Sequence, residues 1–172
     1  INRTVTELMF YPIAGVDLNM GCPAPRVYKK NVGGGLLKDP GKINQILYAM
    51  RSRIDGNLTV KMRIGFEDDK NFEEILKVIL ANEVNLLSLH VRTVRGGYNT
   101  SPQYNYIKKA VQFLGDQCPV LANGSIETAQ DAILLRKRFD ALGVMIGRAA
   151  IRNPWIFRQI REIDSGVAPF AP

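Results

Sequence analysis

No window of this 172-residue chain approaches the eighteen or so consecutive apolar residues of a membrane-spanning helix. The opening "INRTVTELMF" has neither the charged start nor the apolar run of a secretory signal. Cysteine occurs only at Cys22 and Cys118, far apart in sequence. So sparse a pair is a poor disulfide framework and fits a reducing cytoplasm. His90 is the one histidine, and nothing clusters at metal-ligand spacing, so no metal site is expected. Low-complexity segments and obvious repeats are missing too.

Hydrophobic residues make up 46%, which suits one domain of ordinary size with a real core. The net charge is +7 and the pI about 9.6, a modest pull toward polyanions. The basic residues are spread along the chain: Arg26, Lys29, Lys30, Arg51, Arg53, Lys108, Lys109, Arg136, Lys137 and Arg138. On charge alone, solvated helix faces explain them as well as nucleic acid does.

One pattern recurs: a short β-rich run, a glycine-rich or polar loop, then an amphipathic helix. Strands are expected at Val16 to Asn19, Leu58 to Ile64, Leu86 to Val91, Pro119 to Asn123 and Ala141 to Arg148, with a possible one at Thr4 to Leu8. Asp39-Pro40 opens a helix through about Ile54, the aspartate as cap and the proline in the first turn. Further helices are expected over Phe72 to Ala81, Tyr104 to Leu114, "SIETAQDAILLRKRF" and from Asn153-Pro154 through about Ile163.

This alternation means a parallel sheet with right-handed crossovers, either a doubly wound sheet or an α/β TIM (β/α)8 barrel. Polar groups fall at five consecutive strand ends: Asn19 to Cys22, Lys61 and Arg63, His90 and Arg92, Asn123 to Ser125, and Gly147-Arg148. Delivery from many strands is barrel behaviour; a doubly wound sheet concentrates its site at one switch point. A full barrel takes about 250 residues, so the chain reads as the later part of one.

"DLNMGCPAP" places a thiol where a strand breaks into a turn. Gly21 permits unusual backbone angles, and Pro23 and Pro25 stiffen the turn, so Cys22 is held rigidly over the barrel mouth. Lys61 and Arg63 alternate with Val60, Met62 and Ile64. Two cations on an inward face are costly unless an anion meets them; a half-exposed edge strand is the alternative. His90 ends an apolar strand, as a satisfied core residue or a ligand contact. Asn123-Gly124-Ser125 and Gly147-Arg148 have the form of anion cradles or of ordinary helix caps. "VGGGLLKDP" fits no nucleotide motif and reads as a flexible active-site loop.

The blocks "DLNMGCPAPRVYKKNVGGGLLKDP", "VKMRIG", "LHVRT", "VLANGSI" and "GVMIGRAAIRNPWIF", in that order, resemble the tRNA-dihydrouridine synthase family over about residues 13 to 160. The resemblance implies an FMN-dependent barrel that reduces particular tRNA uridines to 5,6-dihydrouridine, with NADPH or NADH reducing the flavin. A hydride passes from flavin N5 to uracil C6, and the family cysteine, here Cys22, protonates C5 from the other face. The Gly/Pro turn then fixes the distance from acid to base. Asn19 would hydrogen-bond the uracil edge. Lys61 and His90 match flavin contacts, and Asn123, Gly124, Ser125, Gly147 and Arg148 match phosphate-side contacts. The target base must leave its stack.

The family usually has Gly after the His and Asp after Asn-Gly; here Val91 and Ser125 stand there. "TVTELMF" resembles the family's second strand, yet the fourth-strand block follows within a few residues. The family's first and third strands, a flavin-contacting glutamine and the tRNA-holding C-terminal helical domain have no counterpart. Residues 1–164 therefore read as a partial FMN-binding barrel, mainly strands 4–8, and residues 165–172 as a tail leading toward that domain. Either segments are joined near Phe10-Tyr11 or the product is truncated. A cytoplasmic monomer is expected, with tRNA and NAD(P)H as partners and no membrane. Two alternatives stay open: another FMN barrel acting on a small molecule, dihydroorotate dehydrogenase-like or ene-reductase-like, and a non-catalytic RNA-binding barrel remnant.

Overall fold

In the computed structural model, which describes residues 2–170, five strands form one parallel sheet. They are β1 (Gly15–Met20), β2 (Asn57–Arg63), β3 (Leu86–His90), β4 (Val120–Asn123) and β5 (Gly143–Met145). Their order in the sheet is their order in the chain. A doubly wound sheet reverses at a switch point, so this order removes that alternative and leaves a partial TIM barrel.

The strands alternate between two environments. Leu58, Val60 and Met62 of β2 and Leu87 and Leu89 of β3 are fully buried in the main apolar cluster. Each such side chain contributes about 1.5–3 kcal/mol by leaving water. α3 (Pro40–Arg51) adds Ile43, Leu47 and Met50 to that cluster, and α4 (Phe72–Ala81) adds Phe72, Ile75, Leu76 and Ile79. Asp39 caps α3 by accepting a bond from Lys42 N at 2.9 Å. α5 (Asn105–Leu114) and α6 (Ala129–Phe139) continue the layer, and Thr128 and Asp131 close a capping box on α6. The other sheet face carries Asn19, Lys61 and Ser88 in one register row, and Arg63, His90, Asn123 and Met145 in a row nearer the strands' C-terminal ends.

Thr4 to Leu8 is not a strand. Asn2–Leu8 forms α1, which turns Val5 into the core at 3% exposure. With no neighbouring strand to pair with, β-branched residues lose their strand advantage, and burial decides. Tyr11 N donates to Leu8 O at 3.1 Å, which closes the turn after α1. The glycine run is not loose either. Gly33–Lys38 is a 3₁₀ turn with Gly34, Gly35, Leu36 and Leu37 buried. A short helix α2 (Pro25–Tyr28) precedes it. After β5 come α7 (Arg148–Arg152) and α8 (Ile156–Asp164), so the single terminal helix expected from sequence is preceded by a further turn of helix. The tail folds back on α8: Phe170 O accepts from Arg158 and Gln159. Among the described residues no helix is long and apolar enough to cross a membrane.

Candidate active site

A cleft of about 360 Å³ opens at the C-terminal ends of the strands. All nine site residues expected from sequence line it. Asn19 comes from β1 and Cys22 from the turn after it; Lys61 lies on β2 and His90 on β3. Asn123 ends β4, Gly124 and Ser125 follow it, and Gly147 and Arg148 follow β5.

The thiol is placed by its neighbours' backbone. Asn19 Oδ1 accepts from Gly21 N at 3.0 Å, which fixes the first bend. Gly34 N donates to Cys22 O at 3.2 Å. A Cβ on Gly34 would lie 2.6 Å from that oxygen and 2.7 Å from Val94, so only glycine allows this approach. Both cysteines are free; Cys22 is half-buried, while Cys118 is fully buried and its thiol is pushed up to about 12 by burial.

Arg63 is 2% exposed and meets no carboxylate. Its Nε donates to Gly21 O at 3.1 Å, and Nη1 to Thr93 O at 3.0 Å and Gly97 O at 3.2 Å. It therefore ties the Cys22 turn to the loop after β3. This overturns the half-exposed edge strand: β2 is paired on both edges, with β1 and β3, Arg63 is buried, and carbonyl dipoles stand where an anion was expected. Lys61 lies two residues back on the same face. Burial, with Arg63 beside it, lowers its pKa, against the pull of Asp17 and Cys22.

Burial, then the charges of Arg63, Lys61 and Arg92, push the His90 pKa down to about 3. The imidazole is thus neutral at pH 7, and its buried Nδ1 has no protein partner. Unfolded histidine titrates near 6.5. Between about 3 and 6.5 the unfolded chain binds one more proton than the native one, so stability rises with pH there and levels off above. Urea unfolding is expected to show this as a slope approaching about 1.4 kcal/mol per pH unit on the acid side. His90→Asn should flatten it; an identical profile in the variant would remove His90 as the cause.

At the far end of the cleft, Asn123 Nδ2 donates to Met145 O at 2.6 Å and joins β4 to β5. Gly124 has φ 122° and Ser125 φ 51°. A Cβ on Gly124 would lie 3.2 Å from Val91 and 3.5 Å from the His90 ring, so the loop is a close-walled cradle. Buried Arg92 donates from Nη2 to Ser125 Oγ at 2.8 Å and from Nε to Thr100 O at 2.6 Å, while its buried Nη1 has no partner. The Arg148 guanidinium lies over Tyr98, 4.1 Å from the ring centroid.

Sequence reasoning missed Tyr98. It stands on an irregular glycine loop with no periodicity to betray its direction, yet it lies against Arg63, His90 and Arg148. Arg63 and Arg92 were visible as strand-end cations, but not as the groups that hold neighbouring loops.

The sheet order and the position of the cleft define a TIM-barrel portion whose site lies at the strands' C-terminal ends. The chain belongs to the dihydrouridine synthase (Dus) family, whose description matches residues 9–171. It is 38% identical over 151 residues to tRNA-dihydrouridine synthase B of Pseudomonas syringae pv. tomato, covering 86% of this chain and 43% of that protein. It is 36% identical over 153 residues to tRNA-dihydrouridine(16) synthase of Neisseria meningitidis serogroup B, covering 88% and 45% respectively. The chain thus spans somewhat under half the length of these curated relatives. The ligand-free DHODH structure from Eimeria tenella superposes with a TM-score of 0.69 at 16% identity, over 96% of this chain and 57% of that one. At that identity the likeness is one of fold.

Proposed function

We propose that this chain carries the catalytic cleft of an enzyme that reduces tRNA uridines to 5,6-dihydrouridine, with FMN as cofactor and NADPH or NADH as reductant. One observation carries the reading: a half-buried thiol, a neutral histidine and a set of cations share one cleft. The family membership and the names of the similar proteins support it.

The residues fit FMN. The Gly124 cradle and the orphaned His90 Nδ1, both on the cleft wall, are groups a polar, anionic cofactor would satisfy. Gly147 leaves open space, and Arg148 at the start of α7 supplies positive charge for a phosphate. Lys61 and His90 would face the flavin. When bound, FMN supplies the hydride. Cys22 donates its proton to C5 of the base, and its half-buried position lets water replace that proton afterwards. Asn19 is held by its Oδ1, which leaves its Nδ2 to donate to a uracil carbonyl. The cytoplasm, where tRNA and NAD(P)H meet, suits this chemistry.

The test is the visible absorption spectrum of the purified protein, with any released chromophore identified. Bound FMN is expected, and conversion of uridine in unmodified tRNA should follow on adding NADPH. A colourless protein that also fails to take up FMN would overturn the reading. Arg148→Ala should weaken FMN binding about 10-fold or more through loss of one charge-assisted phosphate contact. Flavin fluorescence titration measures it, and unaltered affinity would contradict the phosphate assignment.

A further inference from the structure

The stretch from Leu18 to Lys38 contains four basic residues and no acidic one. Three of these, Arg26, Lys29 and Lys30, gather on and just after α2, within eight residues of the thiol. Their i, i+3, i+4 spacing puts them on one side of the turn. All three are exposed, and none has an ion-pair partner among the described residues. Like charges at this spacing repel, costing a few tenths of a kcal/mol per pair, with no compensation inside the protein. They border a trough of about 590 Å³ walled by Val27 and Val32, the latter 46% exposed. Cations around an apolar floor fit a sugar–phosphate backbone, the charge meeting phosphate oxygens and the valines meeting ribose.

We infer that this trough is a docking site for RNA backbone. It flanks the cleft, and it keeps the strand that delivers the target uridine in register with Cys22. The inference rests on the tRNA reading above. The trough is fixed relative to the thiol by short-range contacts. Gly33 leaves no room for a side chain between them: an added Cβ would lie 2.8 Å from Val27 and 3.1 Å from the Cys22 side chain. Gly34 N bonds Cys22 O at 3.2 Å. A phosphate held at α2 is therefore tied to the acid through a few rigid residues rather than across the domain. None of the three cations lines the cleft, so their role is affinity and register, not chemistry.

Counterion release makes this measurable. Each phosphate contact contributes about 0.7–0.9 to the slope of log K against log salt. The probe is an unmodified tRNA transcript, titrated with the protein from about 50 to 300 mM KCl. The combined variant Arg26→Ala, Lys29→Ala, Lys30→Ala should lower the slope by about 2 to 3, with FMN content and melting temperature unchanged. All three side chains are exposed, so folding is not at stake. Wild-type protein that binds tRNA with a slope the variant shares would overturn the trough and leave the tRNA reading standing. Flavin-loaded protein that binds no tRNA at all would overturn both. Restored binding to the Lys29→Arg, Lys30→Arg variant, which keeps the charge, is expected; failure of that variant would overturn a charge-based role.

Discussion

Cys22→Ala should retain bound FMN and NADPH oxidation, and lose dihydrouridine formation by about 10²- to 10⁴-fold, the usual worth of a positioned general acid. The expected split follows from where the thiol stands. Its turn is fixed by Gly21 N on Asn19 Oδ1 and by Gly34 N on Cys22 O, bonds made by backbone or by Asn19 that the substitution leaves intact. Gly124, Ser125 and Arg148, the groups proposed for the phosphate, come from the opposite end of the sheet order and do not depend on the thiol. Cofactor retention and proton delivery should therefore separate in one variant. Cys22→Ser tests whether shape or acidity matters. It keeps size and hydrogen bonding, but a hydroxyl is a far weaker acid than a thiol, so activity should stay low. Mass spectrometry of nucleosides from treated tRNA gives the yield. Dihydrouridine at wild-type rate in Cys22→Ala would remove the acid role. Loss of flavin in the same variant would make the residue structural instead.

The sequence was most informative where local chemistry and global packing agree. α4 begins and ends where its apolar spacing predicts, at Phe72 and Ala81. β2, β3 and β4 fall within a residue or two of their expected bounds, because each is an apolar run that the sheet buries on one face. The site was legible in position, since strand-end polar residues have few uses besides a barrel mouth. Its internal connections were not. That Arg63 spans to Gly97, and Arg92 to Ser125, depends on contacts 33 or 34 residues apart in sequence, which no short pattern encodes. The Gly33 to Gly35 run misled for a related reason. Glycine signals either freedom or close approach, and only the Cys22 and Tyr28 backbones beside it decide for close approach. Thr4 to Leu8 failed because β-preference has no force without a partner strand. Tyr98 had no signal at all.

Arg63→Met should be the most destabilising of the site substitutions, because of what it leaves behind. Two effects oppose each other. Burial disfavours the guanidinium charge and lowers its pKa, so removing it recovers that desolvation cost. Against this stand three charge-assisted bonds, to Gly21 O, Thr93 O and Gly97 O. Each is worth about 1.5–3 kcal/mol. When a polar group and all its partners are replaced together, the exchange is often neutral. Here the partners are main-chain carbonyls, which no substitution at position 63 removes, so they stay in place without a donor. The second effect wins, and a net loss of about 3–5 kcal/mol is expected. For a domain of this size that lowers the melting temperature by about 10 °C. Arg63→Lys separates charge from geometry. An ammonium keeps the positive potential of the cleft but offers no planar fork, so it cannot hold the Gly21 carbonyl and the loop after β3 at once. FMN affinity should fall little in Arg63→Lys, while uridine reduction falls by 10-fold or more as the Cys22 turn loses its tether. Calorimetry and single-turnover reduction of tRNA uridine provide the two readings. A melting temperature of Arg63→Met within about 2 °C of wild type would mean that water replaces the guanidinium at all three carbonyls. The tether between the thiol's turn and the loop of Tyr98 would then have no energetic basis.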